Sequence, residues 1–540
     1  SSTVAGLAAS LGSGAMTNSI ADLEEARCIF VIGSNTTECH PLVARRIMRA
    51  KAKGAVLLVA DPRRIQLSGL ADLAVQPRPG SDIALLNAMM HVIVAEGLHD
   101  KSYIAERTEG FEELAPVLEE YTPERTSEIT GVPADTIRRM AELYAGNRPA
   151  ALCYAMGITQ FTSGVDRVKT CCNLALLTGN IGLAGGGINP LRGQNNVQGA
   201  CDMGALPDVL PGYQKAAAEA VREKFSGAWG TPVPSSRGLT ISEIIPAILE
   251  GRIRALYVMG ENPALSDPDT AHVREALARL DLLVVQDLFL SQTAEMAHVV
   301  LPAAAAAEKD GTFTNTERRC SRIRKAVDPP GEAMADWRIL IHMARAMGHG
   351  WEYSGPADIF SEMAGLNPSY AGMSYDRLGI DGLQWPCPSN EHPGTPILHS
   401  DRFTRGKALF APIHHRPQNE EPDDDYPFVL STGRMYAHFH TATMTGNSPH
   451  LHSEAREGFV ELNPGDAAAR GIGQNDPVRL VSRRGQAETR ARVSLSVPPG
   501  MVFMTFHFSD SPANRLTNTA CDPTARIPEL KYCAVRVEKA

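Results

Sequence analysis

Across its 540 residues the chain has no apolar stretch long enough to cross a bilayer, and no secretory pattern opens it. It has no basic run, and its formal net charge is -9, so neither charge nor its distribution fits a nucleic-acid binder. None of its ten cysteines forms C-x-x-C, which leaves no locally encoded zinc site or iron–sulfur cluster. Scattered cysteines of this kind read as reduced, buried small hydrophobes, and a cytoplasmic setting fits them. An initiator methionine is missing too. The chain opens directly on Ser1-Ser2-Thr3-Val4-Ala5-Gly6-Leu7, as expected of a processed product or a piece of a longer protein.

What is present is ordinary for a globular protein with cores: 43% hydrophobic and 21% charged residues. At about 150 residues per domain, three to four domains are expected. Arg27–Ile32 is a short apolar run suited to a buried parallel strand. It breaks at Gly33-Ser34-Asn35, and a helix with basic residues towards its end runs to about Lys53. A second strand, Ala55–Ala60, ends in Asp61-Pro62-Arg63-Arg64. This βαβ unit carries polar residues at the carboxyl ends of both strands, where open α/β sheets bind ligands. It lacks the G-x-G-x-x-G fingerprint, so a nicotinamide cofactor is not expected.

The same pattern returns. Arg254–Met259 breaks at Gly260-Glu261-Asn262, passes through a helix, and resumes as Leu282–Val285 before Gln286-Asp287. Gly33 precedes Asp61 by 28 residues, and Gly260 precedes Asp287 by 27. Such a duplication implies two similar ligand halves. A carboxylate can accept two hydrogen bonds from guanine, and the glycine lets a phosphate approach the backbone. The alternative is two ordinary Rossmann-like domains with capped helices. Helices are expected over 83–96 and 133–144, a hairpin from the Asp310-Gly311 turn, and a solvated Pro- and acid-rich linker over 381–425. Short strands after it, at 428–432, 459–462, 478–482 and 501–506, predict a compact β-barrel. His438 and His440 lack a third ligand, which suits bonding to a ligand or the backbone better than a metal.

Between the two copies lies Ile188–Gly204, punctuated by glycine and proline and rich in amides, with Arg192 among them. It reads as loop. Amides and a guanidinium bind polar, anionic groups at defined angles, whereas the blander reading is a connector whose Asn and Gln satisfy their own backbone.

Together these residues resemble the molybdenum or tungsten bis-pterin guanine dinucleotide oxidoreductases, and within them the formate dehydrogenase catalytic subunits. Leu191-Arg192-Gly193-Gln194-Asn195-Asn196-Val197-Gln198-Gly199-Ala200-Cys201-Asp202-Met203-Gly204 carries the most specific part of the match. Arg107–Glu113, Leu177–Asn180, Met444–Asn447 and Lys531–Val535 support it, and the similarity spans essentially the whole chain.

The resemblance implies an α/β fold: two Rossmann-like, doubly wound cofactor-binding domains related by pseudo-symmetry (1–194 and 195–424) and a C-terminal β-barrel (425–540). It implies that Gly33, Asn35, Glu38, Cys39, Asp61, Arg63, Gly80 and Asp82 line one dinucleotide, with Met156, Gly157 and Gln160 near it. Gly260, Glu261, Gln286 and Asp287 would hold the other. Thr432, Arg434, His438, His440 and Lys531 would close over both. Arg192 would orient formate through its carboxylate, with Gln194 on the pterin side.

The implied cofactor is bis-molybdopterin guanine dinucleotide with molybdenum or tungsten, converting formate to carbon dioxide. Iron–sulfur or flavin electron-transfer subunits are the implied partners, with no nucleic acid and no membrane span. Family members ligate the metal through a Cys or selenocysteine just upstream of a segment matching Thr3-Val4-Ala5-Gly6-Leu7, so no metal ligand is assigned within this sequence. A [4Fe-4S] cluster is expected only in that upstream region. Two alternatives remain: a relative acting on another small substrate, and a non-catalytic scaffold of the same fold. The isolated 540-residue chain is expected not to oxidise formate, which a turnover assay on that polypeptide checks.

Overall fold

The computed structural model describes residues 2–540. Cys28–Ile32 (β1), Val56–Ala60 (β2), Leu73–Val75 (β3), Ala150–Tyr154 (β4) and Ile188–Pro190 (β5) lie parallel in the order β3-β2-β1-β4-β5. β1 and β4 are buried at every position, so both faces of the sheet must be covered. Ser2–Leu11 (α1), Pro41–Ala52 (α2), Asp82–Ala95 (α3), Ala134–Gly146 (α4) and Gly164–Leu177 (α5) supply the cover. The strand period of two sorts the side chains: Phe30, Leu58 and Leu152 enter one core, Ile29, Leu57 and Ala151 the other. α2 gives Val43 and Ile47 to the second core, and the other four helices fill the first. α3 and α4 match the helices expected from the sequence. Lys101–Arg107, Phe111–Glu119 and Pro123–Thr130 are additional short helices between them; Pro116 inside one and Pro123 opening another obscure their period.

The chain divides into two units: one through Gly193 with Ser266–Ala271 and Ile397–Ala540, the other Gln194–Leu265 with His272–Pro396. In the second unit Ala255–Met259 (β6), Leu282–Asp287 (β7) and Val299–Pro302 (β8) form a parallel sheet in the order β8-β7-β6. Ile248, Leu277 and Val285 share the core on one of its faces. Gly311–Thr314 (β9) and Arg319–Ile323 (β10) make the hairpin that begins after Asp310.

The repeat read from spacing is present in the backbone. β1 and β2 pair up to Ile32 and Ala60, and β6 and β7 up to Met259 and Gln286. The next residue is a glycine in the left-handed region, Gly33 at φ +58° and Gly260 at φ +63°. Each donates its N–H across the end of the pair, Gly33 to Ala60 O at 3.0 Å and Gly260 to Gln286 O at 2.9 Å. Asp61 and Asp287 follow those acceptors.

The carboxyl-terminal part of the first unit is a closed barrel of Phe428–Gly433 (β11), Phe459–Leu462 (β12), Pro477–Val481 (β13), Gln486–Val493 (β14), Met501–Thr505 (β15) and Cys533–Lys539 (β16). Alternate residues, among them Leu430, Val460, Leu480, Ala491, Val502 and Val535, fill its interior. β11 and β15 run parallel in register, Gly433 opposite Thr505, so their carboxyl ends open on the same side.

Two expectations need correction. The stretch 381–425 is not a solvated linker: Phe403, Ala408 and Phe410 are buried in the first core, and Glu420 is held by Arg484 at 2.6 Å. Its prolines and acids conceal single apolar residues that each find a place. Nor is 188–204 loop throughout, since Ile188–Pro190 is β5 and Val197–Asp202 (α6) is a short helix. Among the described residues no helix is long and apolar enough to cross a membrane. Phe30→Ala is expected to cost about 3–5 kcal/mol by emptying a fully packed core position, measured as a lower denaturation midpoint.

Candidate dinucleotide-binding site

β1 has β2 on one side and β4 on the other, so the connections leaving β1 and β4 part in opposite directions and a crevice opens beyond their carboxyl ends. Gly33 and Gly157 meet across it, backbone to backbone. Gly157 donates its N–H to Gly33 O at 3.0 Å, and a Cβ on either residue would lie within 2.6–2.9 Å of the other's backbone. Asn35, Cys39 and His40 from the first corner line this cavity, with Asp61 and Arg63 from the second. Met156 and Gln160 add to it from the corner after β4, and Gly80 and Asp82 from the start of α3. Thr432, Arg434 and His440 close the far wall from the end of β11, with Lys531 ahead of β16.

Charge in the cavity is arranged in pairs. Arg63 is fixed by two hydrogen bonds to Glu461, at 3.2 and 2.9 Å, and lies 3.5 Å over the Phe503 ring. Asp82 accepts from the fully buried Arg167, which also donates to Gly80 O at 2.9 Å and stacks 3.6 Å over Phe161. Burying one member alone would strand a charge, so each pair stands or falls together. Arg434 and Lys531 add two positive charges and Asp61 one negative, which leaves a net positive wall suited to an anionic group. Arg434 donates to Gly193 O at 2.9 Å, and Lys531 donates to Thr432 O. Burial lowers the pKa of Lys531 to about 8 and raises that of Asp61 to about 6. Burial also pushes the Cys39 thiol up, and it holds His440 neutral, at about 4.

Not every residue expected here lines the cavity. Glu38 lies in the short helix Thr36–Cys39 away from the wall. His438 is buried in the barrel loop, bonding Thr445 Oγ1 at 3.0 Å and Ala455 O at 2.7 Å. In the second unit, Gly260, Glu261, Gln286 and Asp287 gather at the carboxyl ends of β6 and β7. Gln286 is fully buried, with Tyr257 on its Oε1 and Asp336 Oδ1 2.6 Å from its Nε2, so it shapes the corner and its amide is already engaged. Glu261 is exposed, and burial raises the Asp287 carboxyl.

The signature loop leaves β5 beside the cavity. Leu191 N–H extends the pairing to Tyr154 O at 2.8 Å, His40 Nε2 bonds Arg192 O at 2.7 Å, and Gly193 is part of the wall. The Arg192 guanidinium lies 3.5 Å from Gly14 O. Gln194 opens the second unit. Beyond it, the amides bond within the second unit: Asn196 Oδ1 accepts from Thr314 N–H at 2.9 Å, and Gln198 donates to Asp202 at 2.7 Å. Asp202 is buried and also takes Tyr370 Oη at 2.5 Å and Trp385 Nε1 at 2.8 Å. Sequence reasoning missed Arg167, His40, Glu461 and Phe503, which come from elements far apart in the chain and carry no local motif. Among the described residues no group of three or more His, Cys, Asp or Glu side chains is placed to hold a metal ion.

Comparison with known proteins assigns this architecture. Residues 4–346 match the model of the molybdopterin oxidoreductase family, and residues 428–534 match the molydopterin dinucleotide binding domain. The chain belongs to the molybdopterin oxidoreductase family. Over its whole length it is 52% identical to the F420-dependent formate dehydrogenase 1 subunit alpha of Methanococcus maripaludis, covering 80% of that protein. It is 42% identical to formate dehydrogenase H of Escherichia coli, covering 99% of this chain and 76% of the relative. Acetylene hydratase from Pelobacter acetylenicus shares the fold, with a TM-score of 0.77 at 19% identity, over 100% of this chain and 81% of that one.

A pH dependence follows from Lys531. Its pKa is depressed in the folded protein, so its positive charge fades as pH rises through about 8. An anion in the cavity is expected to lose affinity over that range, and Lys531→Met to flatten the profile. Calorimetric titration with GDP from pH ~7 to 9 checks this.

Proposed function

We propose that this chain is the catalytic, alpha-type subunit of a formate dehydrogenase, interconverting formate and carbon dioxide at a molybdenum or tungsten centre held by two pterin guanine dinucleotides. The observation that supports the reading is Arg192, which directly precedes the wall residue Gly193 and whose carbonyl bonds His40 of the cavity, in a chain half identical to formate dehydrogenase alpha subunits. The residues present fit a guanine dinucleotide. Gly33 and Gly157 leave room where a Cβ would intrude, Arg434 and Lys531 supply positive charge for a pyrophosphate, and Asp61 offers a carboxylate for a guanine edge. The equivalent corner at Gly260 and Asp287 supports a second dinucleotide.

When bound, the metal–pterin group would take the two electrons that leave formate as carbon dioxide and a proton form. The chain's own contribution is placement. The planar guanidinium of Arg192 pairs with both oxygens of formate and turns the C–H away from itself. Gln194, two residues on, is assigned to the pterin side. Iron–sulfur or flavin subunits would carry the electrons onward, any [4Fe-4S] cluster would lie outside residues 1–540, and we place the protein in the cytoplasm. In the holoenzyme, Arg192→Lys is expected to lower kcat/KM for formate about 10–100-fold, the worth of charge-assisted hydrogen bonds of ~1.5–3 kcal/mol, while bound guanine nucleotide stays unchanged. Unaltered kcat/KM would remove Arg192 from the role. Active protein devoid of guanine nucleotide would sink the cofactor reading.

A further inference from the structure

Two consecutive carbonyls of the signature loop are gripped from opposite sides. His40 bonds Arg192 O at 2.7 Å from the sheet, and Arg434 donates to Gly193 O at 2.9 Å from the barrel. The second grip depends on a segment that leaves β11 at Gly433 and turns through two left-handed residues, His440 at φ +48° and Ala442 at φ +56°. His438 and the Phe439 N–H tie it to Thr445 Oγ1. His507 adds a tie across its first part, two residues past the end of the parallel neighbour β15. Its Nε2 accepts the Met435 N–H at 2.9 Å, and its Nδ1 lies against His440 O. The ring therefore closes the loop between Met435 and His440 with one side chain, and it is 1% exposed.

These two partners determine the tautomer. A backbone N–H can only donate and a carbonyl can only accept, so Nε2 must carry a lone pair and Nδ1 a hydrogen. A doubly protonated ring would set a donor against the Met435 N–H. Burial, with Arg434, His438 and His440 close by, opposes that charge and lowers the pKa of His507 to about 3. The ring also packs among aromatic neighbours, 5.0 Å from Phe506 and 5.8 Å from His438 between centroids.

We infer that His507 is a positioning residue: a neutral, Nδ1-protonated imidazole that clamps the Met435–His440 loop and thereby holds Arg434 on the Gly193 carbonyl beside the arginine that binds substrate. The last link rests on the formate reading above; the clamp itself does not. Phenylalanine fills similar space without either hydrogen bond, and glutamine can accept through Oε1 and donate through Nε2.

In His507→Phe holoenzyme, amide exchange at Met435 is expected to quicken about tenfold, the worth of one native hydrogen bond. The formate KM should rise, and His507→Gln should bring both back towards wild type. Exchange as slow as wild type in His507→Phe overturns the clamp. Faster exchange with unchanged KM and unchanged guanine nucleotide content overturns the positioning role. Should His507→Phe fail to fold, the imidazole 15N spectrum of the wild type decides: a single protonated ring nitrogen, Nδ1, constant from pH ~5 to 8, supports the proposal, and a ring that titrates there refutes it. If the wild-type holoenzyme does not turn over formate, the formate reading falls, and the exchange and 15N data still judge the clamp.

Discussion

The Gly157 N–H to Gly33 O hydrogen bond is the contact on which the site depends. Parallel strands buried on both faces can meet a ligand only at their ends, and here two chain reversals approach more closely than any side chain allows. The crevice exists because that meeting point is bare backbone. An alanine at Gly33 would need a left-handed φ and would collide with Gly157, so the loops would separate and carry Asn35 and Met156 apart with them. The second unit repeats the left-handed glycine and its cross-strand hydrogen bond without the facing glycine. At Gly260 a Cβ meets nothing within 4 Å. The two corners share a backbone plan and differ in how tightly they are closed.

Electrostatics then ties the barrel to the sheet. Arg63 reaches the cavity from the sheet while its counter-charge, Glu461, comes from β12, and Ser496 adds a further hydrogen bond to that carboxylate at 2.8 Å. Placing both partners of an ion pair out of water is costly, and the cost is offset only when geometry and extra hydrogen bonds are good. The two bonds from Arg63, the Phe503 ring beneath it and the Ser496 hydroxyl meet that condition. Asp82 and Arg167 solve the same problem inside the sheet layer, where Gln418 from the returning chain accepts from Arg167 at 3.2 Å.

Much of this was legible in the sequence, and the reasons are physical. Strands such as Cys28–Ile32 announce themselves because burial on both faces demands an unbroken apolar run, and the barrel because short strands follow one another at modest spacing. The repeat was visible because glycine and aspartate at strand ends have few substitutes for their roles. What stayed hidden depends on distance along the chain. Nothing near His507 says that it will bond Met435 and His440, and nothing near Glu461 points to Arg63, since each pairing is created by the strand order. The amides of the signature loop misled in the other direction. Asn196 and Gln198 suggested a ligand but bond Thr314 N–H and the Asp202 side chain, neither a ligand nor their own backbone, while Gly193 lines the cavity.

The walls of the cavity are drawn from segments as far apart in sequence as Gly33 and Lys531. A ribosome releases those two segments far apart in time, and no partial chain can present both. The pocket therefore cannot form before Lys531 has been made, however early the five-stranded sheet condenses. Until the barrel docks, the Arg63 guanidinium also lacks its Glu461 partner.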